Sequence, residues 1–391
     1  MRKKSAIFII LVVLALAGLV VFVNAPTIAD KRMNTVALAP PYTASQRATA
    51  LHDTLFIADL HDDALLWSRD LLTRYEYGHS DLPRLQTGRV GLQVFSAVTK
   101  TPRNMNVQRN ADDSDSITAL VMAQRWPRRT WGSLLERALY QSEKLHAVAF
   151  NSGGKLRIVR SKADLTAILD VQTPTSGLLA AVLATEGLHP LEGQLDNVDT
   201  LFDAGFRIAG LTHFFDNEVG GSAHGVVKGG LTPFGRQVVA RLEKKKMLID
   251  LAHASPQLID DVLAIAHRPV LVSHTGVQAT CPGPRNLSDA HLQAIAAAGG
   301  VIGIAYFEGA VCDASAAGII KAIRYTATLV GIKHVALGSD FDGAVRTAFD
   351  TTGLVLLTQG LLEAGFTEAD IADIMGGNVR RLLLAELPAG L

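Results

Sequence analysis

From Leu51 onward, eight apolar strand-like runs alternate with amphipathic helical stretches, and few folds accommodate that alternation. The runs are Phe56–His61, Val90–Ala97, Leu179–Glu186, Phe206–His213, Leu248–His253, Val270–His274, Val301–Tyr306 and Val335–Asp340. Strand–helix alternation calls for a parallel sheet with crossover helices, and eight such units close a (β/α)8 TIM-like barrel. The length, 391 residues, suggests two or three domains by itself, but a barrel takes up that much chain as one. A charged, mostly helical insertion occupies roughly 112–171, between the second and third runs, and holds one further strand candidate, Leu156–Arg160. Helix starts are marked at Thr232-Pro233, Ser255-Pro256 and Ser288-Asp289, each a capping side chain ahead of an apolar period.

The N-terminus differs in kind. Arg2, Lys3 and Lys4 precede an unbroken apolar run, Ala6–Val23, about one hydrocarbon thickness of helix. Residues 1–25 are therefore expected to form a transmembrane anchor. A cleaved signal peptide is the alternative, because Val23-Asn24-Ala25 fits a small-residue cleavage site, but Pro26 would then stand directly after the cut. Either reading puts the rest of the chain on the exported side, periplasmic or extracellular. Residues 26–50 carry Pro26, Pro40 and Pro41 without periodicity and read as a stalk, which leaves 51–391 for the barrel domain. In an exported chain, Cys281 and Cys312 are expected to form a disulfide. Basic and acidic residues balance at 37 each, so charge gives no reason to propose a nucleic-acid partner.

Six of the eight runs close on a residue able to bind metal or move a proton: His61-Asp62-Asp63, Glu186, His213, His253, His274 and Asp340. In a parallel barrel these ends open on one face, so residues distant in sequence converge. Imidazoles and carboxylates suit zinc, and a bridging carboxylate can hold two ions together. A lone histidine closing a strand is usually a satisfied core or rim residue; four at one barrel face are not. His52, His146, His267 and His291 fall in loops or helices and are read as ordinary. Asp62 points away from its neighbours on a strand and is read as a rim residue, and the Gly343 turn is expected to take Asp342 out of the site.

With these residues in view, the chain resembles the renal (membrane) dipeptidase family of zinc peptidases over nearly all of 51–385. The matching stretches are Asp59-Leu60-His61-Asp62-Asp63, Glu186-Gly187, Leu211-Thr212-His213, Ile249-Asp250-Leu251-Ala252-His253, Ser273-His274, Pro284-Arg285-Asn286 and Gly338-Ser339-Asp340-Phe341-Asp342-Gly343, with Gly377-Asn378-Val379-Arg380 near the end. The family usually has Gly and Asn where Leu60 and Asp62 stand here, and the ligand positions survive. The resemblance implies two zinc ions per chain. His61 and Asp63 would hold one, His253 and His274 the other, with Glu186 bridging. It further implies dipeptide hydrolysis by a zinc-bridging hydroxide, substrate contacts from His213 and Arg285, proton transfer by Asp340, and a homodimer. Arg285 suits bidentate capture of a C-terminal carboxylate, a physical reason for cutting dipeptides rather than long chains. Two rivals stand beside this reading. One is another binuclear hydrolase on the same barrel, acting on a lactone, β-lactam or phosphoester. The other is an inactive membrane-anchored binding protein, whose signature would be a lost ligand, and none is lost here.

Overall fold

Strand pairing closes into a ring in the computed structural model, which describes residue 18 and residues 22–173 and 176–390. The barrel strands are β1 (Ile57–Asp62), β2 (Val90–Val98), β3 (Leu179–Glu186), β4 (Phe206–Gly210), β5 (Leu248–Asp250), β6 (Leu271–Thr275), β7 (Val301–Ile304) and β8 (Val335–Leu337). Every neighbouring pair is parallel, and the register Leu92↔Ala180 through Val98↔Glu186 joins β2 to β3. All eight C-terminal ends therefore face one way. Residues on β3 alternate between two apolar clusters, with Leu179, Ala181 and Leu183 in one and Ala180, Val182 and Ala184 in the other. That period of two is what a strand buried on both faces produces.

The sequence signals translate into local bonds. Thr232, Ser255 and Ser288 each cap a helix, accepting from the backbone N–H of Gly235, Leu258 and His291 respectively. The insertion forms the helices Ile117–Ala123, Leu134–Asn151 and Lys162–Leu169 and a short strand, Leu156–Ile158, which lies along the start of β3.

Two expectations are corrected here. Residues 26–50 are not a free stalk. Residues 22–33 are helical, Thr35–Val36 pairs with Arg346–Thr347 just past β8, and Ser45 caps the helix Gln46–His52. Asp30 and Asn34 are buried, Asp30 on Arg69 and Asn34 on the backbone N–H of Ala344. Elements this short, held by polar contacts to distant residues, leave no periodicity to read. Four barrel strands also end earlier than expected, so that His213, His253 and Asp340 lie on the turns that follow. The membrane segment is a separate matter. Apart from Gly18, Phe22 and Val23, the Ala6–Val23 run lies outside the described residues, and no described helix is long and apolar enough to cross a membrane.

Candidate metal centre

At the C-terminal mouth of the barrel the side chains of His61, Asp63, Glu186, His213, His253, His274, Arg285 and Asp340 are brought together, all buried. Glu186 is the hub. Its Oε1 lies 3.4 Å from His61 Nε2, 3.1 Å from His253 Nε2 and 3.5 Å from His274 Nε2, while Oε2 lies 3.4 Å from His213 Nε2. Two donor groups share it: His61, Glu186, His274 and Asp340, and Glu186, His213 and His253. Asp63 joins through His61, 3.4 Å away, and His253 and His274 meet Nε2 to Nε2 at 3.0 Å.

Local sequence explains these placements. His253 and Asp340 sit at φ +62°, left-handed values that non-glycine residues adopt only under constraint from their surroundings. At Gly343, any Cβ would fall 2.1 Å from Asp340 Oδ1, so glycine is required for the acid to lie where it does. Ser273 Oγ sits 2.9 Å from His274 Nδ1 and 3.3 Å from His61 Nδ1, which turns both Nε2 atoms toward the centre. Asp59 accepts from the His61 N–H and from the N–H and hydroxyl of Ser339, tying β1 to the turn that carries Asp340.

Charge is crowded. Burial and the neighbouring Glu186 push Asp63 up to about 8. Burial, reinforced by Glu186 and Asp63 and opposed by His61, carries Asp340 well above the usual carboxylate range. Burial acts against ionisation of Glu186 too, yet His213 and His61 hold it well below its ordinary value. His253 and His274 are kept neutral by burial, with Arg285 and His61 adding repulsion. His61 Nε2 and Asp63 Oδ1 are buried without a hydrogen-bond partner. The neutral imidazoles of His253 and His274, facing packed carboxylates beside the unpartnered His61 Nε2 and Asp63 Oδ1, belong to the kind of donor set a divalent cation needs.

Arg285 lies in the loop after β6, buried, with Nη2 donating to the His274 carbonyl at 2.7 Å and Nε unpartnered. Asp342 does leave the centre: it accepts from the His79 N–H at 2.8 Å and pairs with Arg69 at 2.7 Å. Arg69 also holds Asp30 at 2.8 Å, so one buried network links residues 22–36 to the turn bearing Asp340. Asp62 is fully buried rather than on the rim; one oxygen caps the Ala64 N–H at 2.7 Å. Of the histidines read as ordinary, His52 bonds Thr358 within the fold and His267 bonds Glu243 at the surface.

Two contributions escaped sequence reasoning. His224 lines the cavity with its ring 5.3 Å from that of His253 and its Nδ1 at 2.6 Å from the Val107 carbonyl. It stands in a long loop with no strand to mark it. The cavity itself, about 450 Å³, opens from the centre along an apolar side formed by residues after β1 and β2 and by the insertion.

Cys281 and Cys312 are disulfide-bonded, joining the loop after β6 to the short helix after β7. Asn286, next to Arg285, donates to the carbonyls of Cys281 and Ala310 and accepts from the Gly276 N–H, so the same two loops are bound twice.

Comparison with known proteins agrees with this geometry. Residues 45–387 match the model of the membrane dipeptidase family, peptidase family M19. The chain is 29% identical over 348 residues to the dipeptidase aclJ of Aspergillus oryzae, covering 84% of this chain and 77% of that one. To the dipeptidase verJ of Clonostachys rogersoniana it is 28% identical, covering 78% and 75%. Among solved structures, the probable dipeptidase PvdM of Pseudomonas aeruginosa superposes with a TM-score of 0.72 at 21% identity, over 88% of this chain and 98% of that one. A Rhodobacter sphaeroides metallopeptidase, liganded with a phosphinate mimic of the dipeptide L-Ala-D-Ala, gives 0.67 at 22% over 85% and 99%.

Proposed function

This chain belongs to the membrane dipeptidase family of metallopeptidases, and on that premise we propose that it is a two-zinc dipeptidase cutting small dipeptides with a free C-terminal carboxylate. The observation that carries the reading is the convergence of four potential ligands, His61, Asp63, His253 and His274, around the buried carboxylate of a fifth, Glu186, with Arg285 and Asp340 beside them. Glu186 would be shared, His61 and Asp63 completing one site and His253 and His274 the other. The chemistry such ions supply is a lowered water pKa and a polarised peptide carbonyl.

The chain's own residues do the rest. Arg285 lines the cavity with a buried positive charge, the right partner for the terminal carboxylate. His213, across Glu186 from His61, is positioned to donate to the carbonyl oxygen as charge develops on it. Asp340 carries a proton from the attacking water to the leaving amine, a task suited to an acid whose pKa burial has raised. The Ala6–Val23 run with its basic flank, together with the disulfide, supports a membrane-anchored chain whose catalytic domain is on the exported side.

Metal analysis and a substrate panel test the assignment together. Purified protein should carry close to two equivalents of zinc, and His253→Ala should hold less. Chelation should abolish hydrolysis of Ala-Ala, and C-terminal amidation should reduce it sharply, most of that difference vanishing in Arg285→Met. Full activity after exhaustive chelation sinks the zinc reading, and turnover of a lactone or phosphotriester in place of dipeptides moves the chain to another hydrolase class.

A further inference from the structure

The cavity is unevenly furnished. Leu66, Trp67, Val98, Ile117 and Leu120 form one side of it and belong to a single apolar cluster. Residues 22–36 extend that side: Ala29 packs on the same cluster, and Ala29 and Met33 both line the cavity. The ionisable groups there are Asp63, already part of the centre, and the exposed Arg103.

Barrel geometry says where this wall stands relative to the carboxylate-binding arginine. In a closed ring of eight strands, β2 faces β6 and β1 faces β5. The wall rises from the segments after β1 and β2, whereas Arg285 follows β6 and touches His253, after β5. Wall and arginine therefore stand on opposite sides of the metal centre. A dipeptide whose carboxylate is held at Arg285 and whose peptide carbonyl lies over Glu186 directs its N-terminal residue at the wall.

We infer that this enzyme selects dipeptides with a large apolar N-terminal residue, and that the segment ahead of the barrel supplies part of the selecting surface through Ala29 and Met33. The inference rests on the dipeptidase reading and narrows it. Asp30, buried on Arg69, fixes the segment in place, so its two residues form a set wall and not a passing contact. Burying a leucine or phenylalanine side chain on such a surface is worth roughly one to two powers of ten in selectivity.

The test compares two series on the metal-loaded full chain: X-Ala and Ala-X, with X as Gly, Ala, Leu or Phe. kcat/KM for Leu-Ala and Phe-Ala should exceed that for Gly-Ala by roughly 10- to 100-fold, and the Ala-X series should vary much less. Met33 is 45% exposed, so Met33→Gln does not threaten the fold. It should cut the Phe-Ala to Gly-Ala ratio by roughly three- to tenfold, and Leu120→Gln should do the same. A flat X-Ala series, a preference that emerges in Ala-X instead, or a ratio unmoved by both substitutions overturns the inference while leaving the dipeptidase intact. Failure to cleave any member of either series removes the dipeptidase reading, and the inference with it.

Discussion

Asp340 shows most clearly what one residue owes to its surroundings. Its left-handed backbone, the bare α-carbon of Gly343 and the grip of Asp59 on Ser339 hold a protonatable carboxyl 3.9 Å from His61. Asp340→Asn keeps that shape and removes the proton. It should lower kcat by about a hundred- to ten-thousand-fold while zinc content and substrate affinity persist; loss of an ion would make Asp340 a ligand, and near-normal turnover with both ions present would show that it does not carry the proton. The residues of the centre were legible because histidine and carboxylate at strand ends are few and barrel topology gathers them. Their backbone was not. A non-glycine residue at positive φ leaves no mark in the sequence, so the runs ending in His253 and Asp340 looked like continuous strand. Asp62 was misjudged for a related reason: alternation showed that it points away from its neighbours, but not that Ala64 and the turn after β8 would enclose it.

Among elements, the loops after β6 and β7 behave as one unit. The disulfide Cys281–Cys312 spans a separation of 31 residues, and Asn286 binds both loops beside Arg285. On the chain-entropy model such a crosslink contributes about 3–4 kcal/mol. The double variant Cys281→Ser with Cys312→Ser should therefore unfold at lower denaturant by about that free energy. It should also raise KM for dipeptides more than it lowers kcat, because the loop it frees carries Arg285, the proposed partner of the substrate carboxylate. Unchanged stability together with an unchanged KM would show that Asn286 alone fixes the loop. The pairing was legible because the sequence holds only two cysteines, which leave one choice, and the helix starts at Thr232, Ser255 and Ser288 were legible because caps are local chemistry. The wall of the cavity was not. It is assembled from residues after two strands, an insertion helix and the segment ahead of the barrel, and no spacing within any of them reports the others.

For the molecule as a whole, the open question in the sequence was how its first residues relate to the rest. An uncleaved anchor predicts that protein from its own host partitions with membranes and has the intact mass of the unprocessed chain. A soluble product beginning near Pro26 would mark a cleaved signal. Whichever holds, residues 26–36 are part of the catalytic body, which composition alone could not reveal: prolines and small residues read as slack until Asp30, Asn34 and the Thr35–Val36 pairing show them fastened.

That fastening has a consequence for how the chain matures. Asn34 meets Ala344 across 310 residues, and Thr35–Val36 finds its partner strand only beyond β8. Contacts of such long separation form slowly and late, after shorter loops have closed. A nascent chain, made from its N-terminus, carries this segment undocked until nearly the whole barrel has followed it. The turn that it grips is also the one that bears Asp340. Every incomplete species with β8 unpaired thus lacks a docked Asp340 and part of the cavity wall at once, and the proposed proton carrier reaches its place only when the ring is shut.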